Sequence, residues 1–179
     1  KLIGRQMDES KMLPMWTEQN AMLLLFLAYG SKTILSYLFK QYDAAIQAGE
    51  LAEKYEQSAP GMVCIPEYQF YTSLAMLAAY EQADSSTKAH YLAKVEANQE
   101  KMSYWASHAA SNYLHKYDLV EAEKARILAE PLKAMDYYDR AIQGASQYGY
   151  IQEEALANER AAEFYLGLGR QEIAPIYMR

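Results

Sequence analysis

Residues 161–178 read AAEFYLGLGRQEIAPIYM. Good helix formers lie on both sides of Gly169, and glycine is the residue that most readily ends a helix and lets the chain turn. Ala162 falls on the first predicted helix and Ala174 on the second, so that small residues occupy the positions where the two helices would touch. This stretch therefore predicts a hairpin of two closely packed antiparallel helices.

The same spacing of small residues recurs earlier in the chain. Twelve residues separate Ala162 from Ala174, and the same step separates Ala122 from Ala134. Small residues seven apart share one face of two further predicted helices, in the pairs Ala45 with Ala52 and Ala134 with Ala141. Repetition at fixed offsets is typical of stacked helical hairpins.

The composition favours an all-α fold. Only 8 glycines and 5 prolines occur in 179 residues, and they separate long runs of good helix formers. The run Met62–Ile65 is the most strand-like segment, but Pro66 follows it directly, so we interpret it as a connector. Start and stop signals predict eight helices in one domain, 1–179, arranged in about four antiparallel pairs at residues 17–58, 66–107, 111–148 and 150–179.

Capping residues predict individual helix boundaries. Thr17 is the predicted N-cap of the first helix, and Asp84 belongs to the polar cluster that begins the fourth. Pro131 suits the first turn of the sixth helix, which ends before Gly149. The eighth helix is predicted to begin near Gln171.

Charge and hydropathy exclude several classes of partner. The chain has 17 Lys and Arg against 23 Asp and Glu, a net charge of −6, which disfavours both nucleic acid and anionic membrane surfaces. Its longest apolar run, Ala21–Tyr29, is far shorter than the roughly 20 residues that span a bilayer, so we expect no membrane insertion. The single cysteine, Cys64, cannot form an internal disulfide, which favours a cytoplasmic location.

Residues that could carry out chemistry are few and lack the spacing of known motifs. His90, His108 and His115 do not form an H-E-x-x-H or E-x-x-H pattern, and Cys64 has apolar neighbours. The sequence also lacks a Gly-rich phosphate loop, a Walker lysine and a His-Arg-Asp catalytic loop. We expect no enzyme activity, no cofactor and no metal site. An enzyme of another type would require His, Cys and carboxylates clustered in one cleft.

The recurring alanine offsets resemble the tetratricopeptide pattern, in which paired antiparallel helices stack into a right-handed superhelix. The resemblance implies a TPR-like α-solenoid. The first-helix Trp and the Leu-Gly pair of that motif are absent. The second-helix alanines Ala45, Ala134 and Ala174 are spaced for units longer than the standard length of about 34 residues.

Two stretches carry a more specific resemblance. Residues 91–142 read YLAKVEANQEKMSYWASHAASNYLHKYDLVEAEKARILAEPLKAMDYYDRAI, and residues 148–178 read YGYIQEEALANERAAEFYLGLGRQEIAPIYM. Both resemble the helical-repeat region of cyanobacterial multi-sensor signalling kinases, which also contain Ser/Thr-kinase, STAND-type ATPase, GAF and histidine-kinase domains. The resemblance implies a non-catalytic interaction or sensory module of a larger signalling protein, and it brings no catalytic residue to this chain.

A TPR-like superhelix would bind its partner in a concave groove lined by the first helix of each pair. The predicted groove residues are Tyr68, Gln69 and Thr72 on the third helix, Lys116, Leu119, Glu123 and Arg126 on the fifth, and Leu156, Glu159, Glu163 and Leu166 on the seventh. Mixed charges with apolar patches suit a peptide or protein segment, including another domain of the parent protein.

The 17 tyrosines leave alternatives open. We interpret Tyr137, Tyr138, Tyr165 and Tyr177 as large side chains that fill the gaps between paired helices. A pocket lined by Tyr and Met would instead make the chain a small-molecule sensor. The C-terminal helix pair, whose apolar face needs a partner, could also mediate self-association.

Overall fold

The computed structural model of the chain is all-α and describes residues 3–4 and 8–178. Its α-helices are α1 (Glu9–Glu18), α2 (Met22–Leu38), α3 (Tyr42–Glu53), α4 (Cys64–Ala79), α5 (Ser85–His108), α6 (Ala110–Ile127), α7 (Pro131–Tyr148), α8 (Ile151–Gly167) and α9 (Ala174–Tyr177). Short 3-10 helices cover Glu56–Ser58 and Tyr80–Gln82. Within the described residues there is no β-strand, and the predicted all-α class is confirmed.

The helices form two compact units. The first unit extends to Ala79 and contains α1 to α4, and the second begins at Tyr80 and contains α5 to α9. In the first unit α4 packs on both α2 and α3, whereas in the second α6 packs on α5, α7 and α8. The division between the two units falls inside the predicted pair at residues 66–107.

Five helices end in the same way, with a residue in the left-handed backbone conformation. These residues are Asn20, Lys40, Ala129, Gly149 and Gly169. After α6 the amide of Glu130 donates to the carbonyl of Ala125, and after α8 the amide of Arg170 donates to the carbonyl of Tyr165, each at 2.9 Å. This pattern satisfies carbonyls that the helix leaves unpaired, and it reverses the chain within a few residues. It is the local feature that ends these five helices and turns the chain.

Three predicted boundaries are wrong. The first helix does not begin at Thr17: α1 begins at Glu9, and the left-handed Asn20 separates it from α2. The predicted connector supplies the first turn of α4, which begins at Cys64. The eighth helix is a single turn that begins at Ala174 rather than near Gln171.

Other predicted boundaries are confirmed. The Asp84 side chain accepts a hydrogen bond from the amide of Thr87 at 2.8 Å and caps α5. Pro131 is the first residue of α7, and Gly149 follows its last residue. Helix caps can be predicted from the sequence because the groups that form them are only a few residues apart.

The predicted helix contacts are buried as expected. Each of the alanines singled out by spacing is 0 to 1% exposed: Ala45, Ala52, Ala122, Ala134, Ala141, Ala162 and Ala174. Tyr138 is fully buried and packs against Phe164 with ring centroids 5.3 Å apart. Small residues thus lie at the points of close approach, and aromatic rings fill the space beside them.

The helices α3 and α4 approach each other closely at Gly49. A Cβ atom added there would lie 2.8 Å from Cγ2 of Thr72 and would also clash with its hydroxyl. The Thr72 hydroxyl already donates to the carbonyl of Tyr68 at 2.6 Å, so rotating the side chain would lose that bond. Only glycine fits at this point.

We expect Gly49→Ala to lower the free energy of unfolding by about 1–3 kcal/mol, because the clash outweighs the better helix propensity of alanine. Urea unfolding measures this change. Gly167→Ala is the control, since no atom lies within 4 Å of its added Cβ, and it should be neutral or stabilising. The double variant with Thr72→Ala should recover stability, and equal effects of the two glycine substitutions would contradict this account.

Candidate functional site

The predicted groove residues of α4 lie in the interior. Tyr68, Gln69 and Thr72 are 4%, 1% and 2% exposed. The hydroxyl of Tyr68 and Nε2 of Gln69 both donate to the carboxylate of Glu56, the amide at 3.0 Å. The prediction assumed an exposed face on this helix, but nearly every residue from Ile65 to Leu77 is buried, because α4 packs on both α2 and α3.

The predicted residues of α6 and α8 are divided between interior and surface. Lys116, Leu119, Glu123 and Leu156 are buried, Arg126 and Glu163 are partly exposed, and Glu159 and Leu166 are exposed. The three buried side chains of α6 are not presented to solvent, because this helix packs against three other helices at once. Whether the accessible ones bind a partner stays a prediction.

A buried carboxylate organises the end of α6. The Glu123 cluster consists of Glu123 with Arg126, Arg160 and Tyr138. Oε1 of Glu123 accepts from the Tyr138 hydroxyl at 2.6 Å and from Nε of Arg160 at 3.0 Å. Oε2 of Glu123 accepts from Nε of Arg126 at 2.9 Å. Glu123 is thus a buried carboxylate that joins three helices.

This environment keeps Glu123 ionised. Burial alone would raise the pKa of its carboxyl, but the charges of Arg160 and Arg126 and the hydrogen bond from Tyr138 outweigh burial and lower it. Burial and the neighbouring carboxylate raise the pKa of Tyr138, so its hydroxyl keeps the proton that it donates. A carboxylate with these partners fixes both guanidinium groups in position.

An open cleft of about 490 Å³ lies beside the Glu123 cluster. We call it the α6–α8 cleft, and its lining residues are Glu81, Arg126, Ala129, Pro131, Arg160, Glu163, Phe164, Gly167 and Leu168. At its outer edge Nη1 of Arg126 is 3.1 Å from Glu81, and Nη1 of Arg160 is 2.5 Å from Glu163. The structure thus brings together two predicted residues, Arg126 and Glu163.

Sequence reasoning missed the central residue of this cleft. Arg160 lies one turn after Leu156 and three residues before Glu163, so it lies on the same face of α8 as these two predicted groove residues. This spacing could have identified Arg160 as a groove residue from the sequence. Its partner Glu123, however, is 37 residues away in sequence, and no local pattern links the two.

A second ionic cluster lies at the other end of α6. Lys116 is 1% exposed, and its Nζ is 2.6 Å from Oε1 of Glu153 on α8. The ring of His115 stacks on that of Tyr150 with centroids 4.4 Å apart. His115 is buried, with 3% of its surface exposed. Paired charges at both ends of α6 fix its register against α8.

The recurring hairpins and the buried alanines agree with a comparison to known families. A family model described as "CHK1-like, TPR repeats" matches residues 32–168, about three quarters of the chain. The chain belongs to this family of TPR repeats. TPR repeats generally mediate protein–protein interaction. No curated protein and no solved structure matches the chain.

Among the described residues, no helix is both long enough and apolar enough to cross a membrane. In the same part of the chain, no three His, Cys, Asp or Glu residues are grouped so that they could hold a metal ion.

We expect Glu123→Gln to destabilise this TPR chain by about 3–5 kcal/mol, because it removes the charge that compensates two largely buried arginines. Tyr138→Phe should lower the free energy of unfolding by about 1–2 kcal/mol, because it removes the hydrogen bond to Glu123. Urea unfolding tests both changes. Glu163→Gln is the matched control, because it changes a partly exposed ion pair. If Glu163→Gln lowered the free energy of unfolding as much as Glu123→Gln does, a central role for Glu123 would be contradicted.

The pH dependence of stability should depend on His115 and Asp118. Burial, followed by the charge of Lys116, lowers the pKa of His115 to about 4, while burial raises the pKa of Asp118 to about 6. Between pH 4 and 6.5 the unfolded chain binds the proton at His115 more readily, so this histidine makes stability rise with pH. Asp118 binds its proton more readily in the folded state, so it makes stability fall with pH up to about 6.

We therefore expect the two substitutions to have opposite effects on urea midpoints measured between about pH 4.5 and 6.5. Asp118→Asn should steepen the rise of stability with pH, and His115→Phe should flatten or reverse it. The charged groups that influence His115, Lys116 and Glu153, are unchanged in both variants. Parallel pH profiles for the two variants would rule out this assignment.

Proposed function

We propose that this chain is a non-catalytic interaction module that binds a peptide or protein segment in the α6–α8 cleft. The observation that carries the proposal is the arrangement of two arginines, held by one buried carboxylate, beside an open apolar wall. Phe164, Pro131 and Leu168 supply apolar lining, and Arg126 and Arg160 supply donors. Such a mixture suits a protein ligand, because anchors at protein interfaces combine apolar and charged contacts.

The charges suggest which partner would fit. Glu81 is 74% exposed in its ion pair with Arg126, and Glu163 is 38% exposed in its pair with Arg160. Exposed pairs of this kind contribute little to stability, so a carboxylate of a partner can replace Glu81 at small cost. We infer that the bound segment carries an acidic side chain next to an apolar one.

The wider context is part of the same proposal. The resemblance of residues 91–142 and 148–178 to the repeat region of multi-sensor signalling kinases supports a scaffold or sensory role in a cytoplasmic multidomain protein. Binding in the cleft would then shift the position of attached domains. Self-association through the C-terminal helices is a separate prediction, supported by the exposed side chains of Ile176 and Met178.

The small-molecule alternative has less support. None of the residues that line the α6–α8 cleft is Tyr or Met. Tyr138 and Tyr165 are buried and pack against other rings, in agreement with their predicted role as fillers between helices. A sensor pocket lined by tyrosine and methionine is therefore not what this cleft offers.

The experiment is selection of peptides from a displayed random library, followed by measurement of their Kd with the purified chain by fluorescence anisotropy. Leu168→Glu should weaken binding about tenfold or more, which corresponds to about 1.4 kcal/mol. Glu163→Lys should strengthen binding or leave it unchanged, because it removes the carboxylate that competes with an acidic ligand for Arg160. Leu132→Glu is the matched control, because Leu132 is 77% exposed and lies outside the cleft lining. Equal Kd values for Leu168→Glu and Leu132→Glu, or selection of no peptide, would reject the proposal.

A further inference from the structure

The two arginines of the α6–α8 cleft bind the same buried carboxylate. Nε of Arg126 lies 2.9 Å from Oε2 of Glu123, and Nε of Arg160 lies 3.0 Å from Oε1 of the same side chain. Because one carboxylate binds both, the two guanidinium groups are held close together, and both line the cleft. A ligand in the cleft can therefore contact both arginines through a single group.

Each guanidinium group also pairs with a carboxylate at the surface of the cleft. Nη1 of Arg126 is 3.1 Å from Oε1 of Glu81, and Nη1 of Arg160 is 2.5 Å from Oε2 of Glu163. Both glutamates line the cleft, and their side chains are 74% and 38% exposed. In the free protein two carboxylates thus occupy the nitrogens that a ligand would contact, one on each arginine.

The charge of these two carboxylates indicates the charge of the ligand. Exposed ion pairs contribute little to stability, so Glu81 and Glu163 can both move into water at small cost. A ligand with one carboxylate replaces only one of them and leaves the other on its arginine. A ligand that replaces both must bring about two negative charges within reach of both guanidinium groups.

A phosphorylated side chain meets this requirement in one compact group. A phosphate monoester carries about −1.5 to −2 charges near pH 7 and has three strong acceptor oxygens, which guanidinium groups bind through paired hydrogen bonds. Two adjacent acidic residues of an extended segment also carry two charges, but successive side chains point to opposite sides of the chain. Two neighbouring guanidinium groups therefore fit one phosphate better than a pair of carboxylates.

We propose that the α6–α8 cleft binds a phosphorylated side chain of a protein segment, with an apolar residue next to it. This inference rests on the proposed function and specifies the acidic group in it. The apolar neighbour would contact Leu168, which is 45% exposed, and Pro131, since both line the same cleft as the arginines.

The chain also contains a smaller cleft that lacks this arrangement. It has a volume of about 260 Å³, and its lining includes His115, Asp118 and Arg140. Among the described residues, Arg140 is the one arginine that lines it, and the buried carboxylate of Asp118 lies 2.7 Å from its Nη2. A single arginine paired in this way gives a dianion no second cation, so we expect no phosphate binding there.

The test compares three synthetic peptide libraries with random flanks and phosphoserine, glutamate or serine at a fixed central position. The purified chain should retain mainly phosphoserine peptides, with apolar residues enriched next to the centre. The best sequence is then synthesised with phosphoserine, glutamate, two adjacent glutamates or serine, and fluorescence anisotropy gives each Kd. The phosphoserine peptide should bind at least about tenfold more tightly than each of the other three.

Variants of the cleft test whether the phosphate replaces both carboxylates. Glu81→Gln and Glu163→Gln should each strengthen binding of the phosphoserine peptide about threefold, because each removes a competing carboxylate. Arg126→Gln should weaken it at least about tenfold, whereas Arg140→Gln is the matched control outside this cleft and should leave Kd unchanged. Urea unfolding checks that Arg126→Gln still folds, and the two glutamate variants test the proposal if it does not.

The outcomes distinguish this inference from the proposed function. If phosphoserine binds no more tightly than glutamate while Leu168→Glu still weakens both, the inference is wrong and the proposed function stands. If no library yields a peptide whose Kd differs between Leu168→Glu and Leu132→Glu, both are rejected. Unchanged Kd values in both glutamate variants, or equally strong competition by inorganic phosphate, would also overturn the inference.

Discussion

Antiparallel helices can approach closely only where at least one of them presents a small side chain, and this constraint determines most of what surrounds them. Ala134 and Ala141 bring α7 onto α6, where a Cβ added at Gly144 would lie only 3.3 Å from that of His115. Large residues are then displaced to the edges of each contact. There Tyr165 stacks on Tyr177 with ring centroids 5.3 Å apart. The high tyrosine content thus complements the spaced alanines rather than forming a separate feature.

The same packing explains why α6 carries buried charges. Because α5, α7 and α8 all pack against it, polar side chains on most of its faces lose contact with water. Lys116, Asp118 and Glu123 each have an opposite charge within 3 Å on α7 or α8. Buried ion pairs add little net stability relative to apolar side chains. In this protein the buried ion pairs specify the register in which α6 packs against α7 and α8.

The Glu123 cluster also shows how a rigid interior can shape a binding surface. Side-chain exposure rises from 2% at Glu123 through 10% at Arg160 and 19% at Arg126 to 74% at Glu81. The inner members hold the arginines in place, and the outer members can exchange with a ligand. A partner therefore meets donors whose conformational freedom is already restricted, which reduces the entropic cost of binding.

The sequence by itself determined the all-α class, the alanine contacts, the cap at Asp84 and the ends of α7. These features depend on residues close together in the chain or on a repeated spacing. It also predicted Arg126 and Glu163 as groove residues, and both line the α6–α8 cleft; their binding of a partner stays a prediction. The left-handed turn at Asn20 escaped detection because glycine is the usual signal for such a turn and asparagine is a weaker one.

Only the tertiary structure decided which of the predicted groove residues are accessible. Tyr68 and Lys116 lie on helices whose sequence offers a plausible exposed face, yet both are buried because several helices surround them at once. The pairing of Arg160 with Glu123 and the placing of His115 near Asp118 at one cleft likewise depend on where helices cross. Burial is a property of all the neighbours together, so the pattern of a single helix could not reveal it.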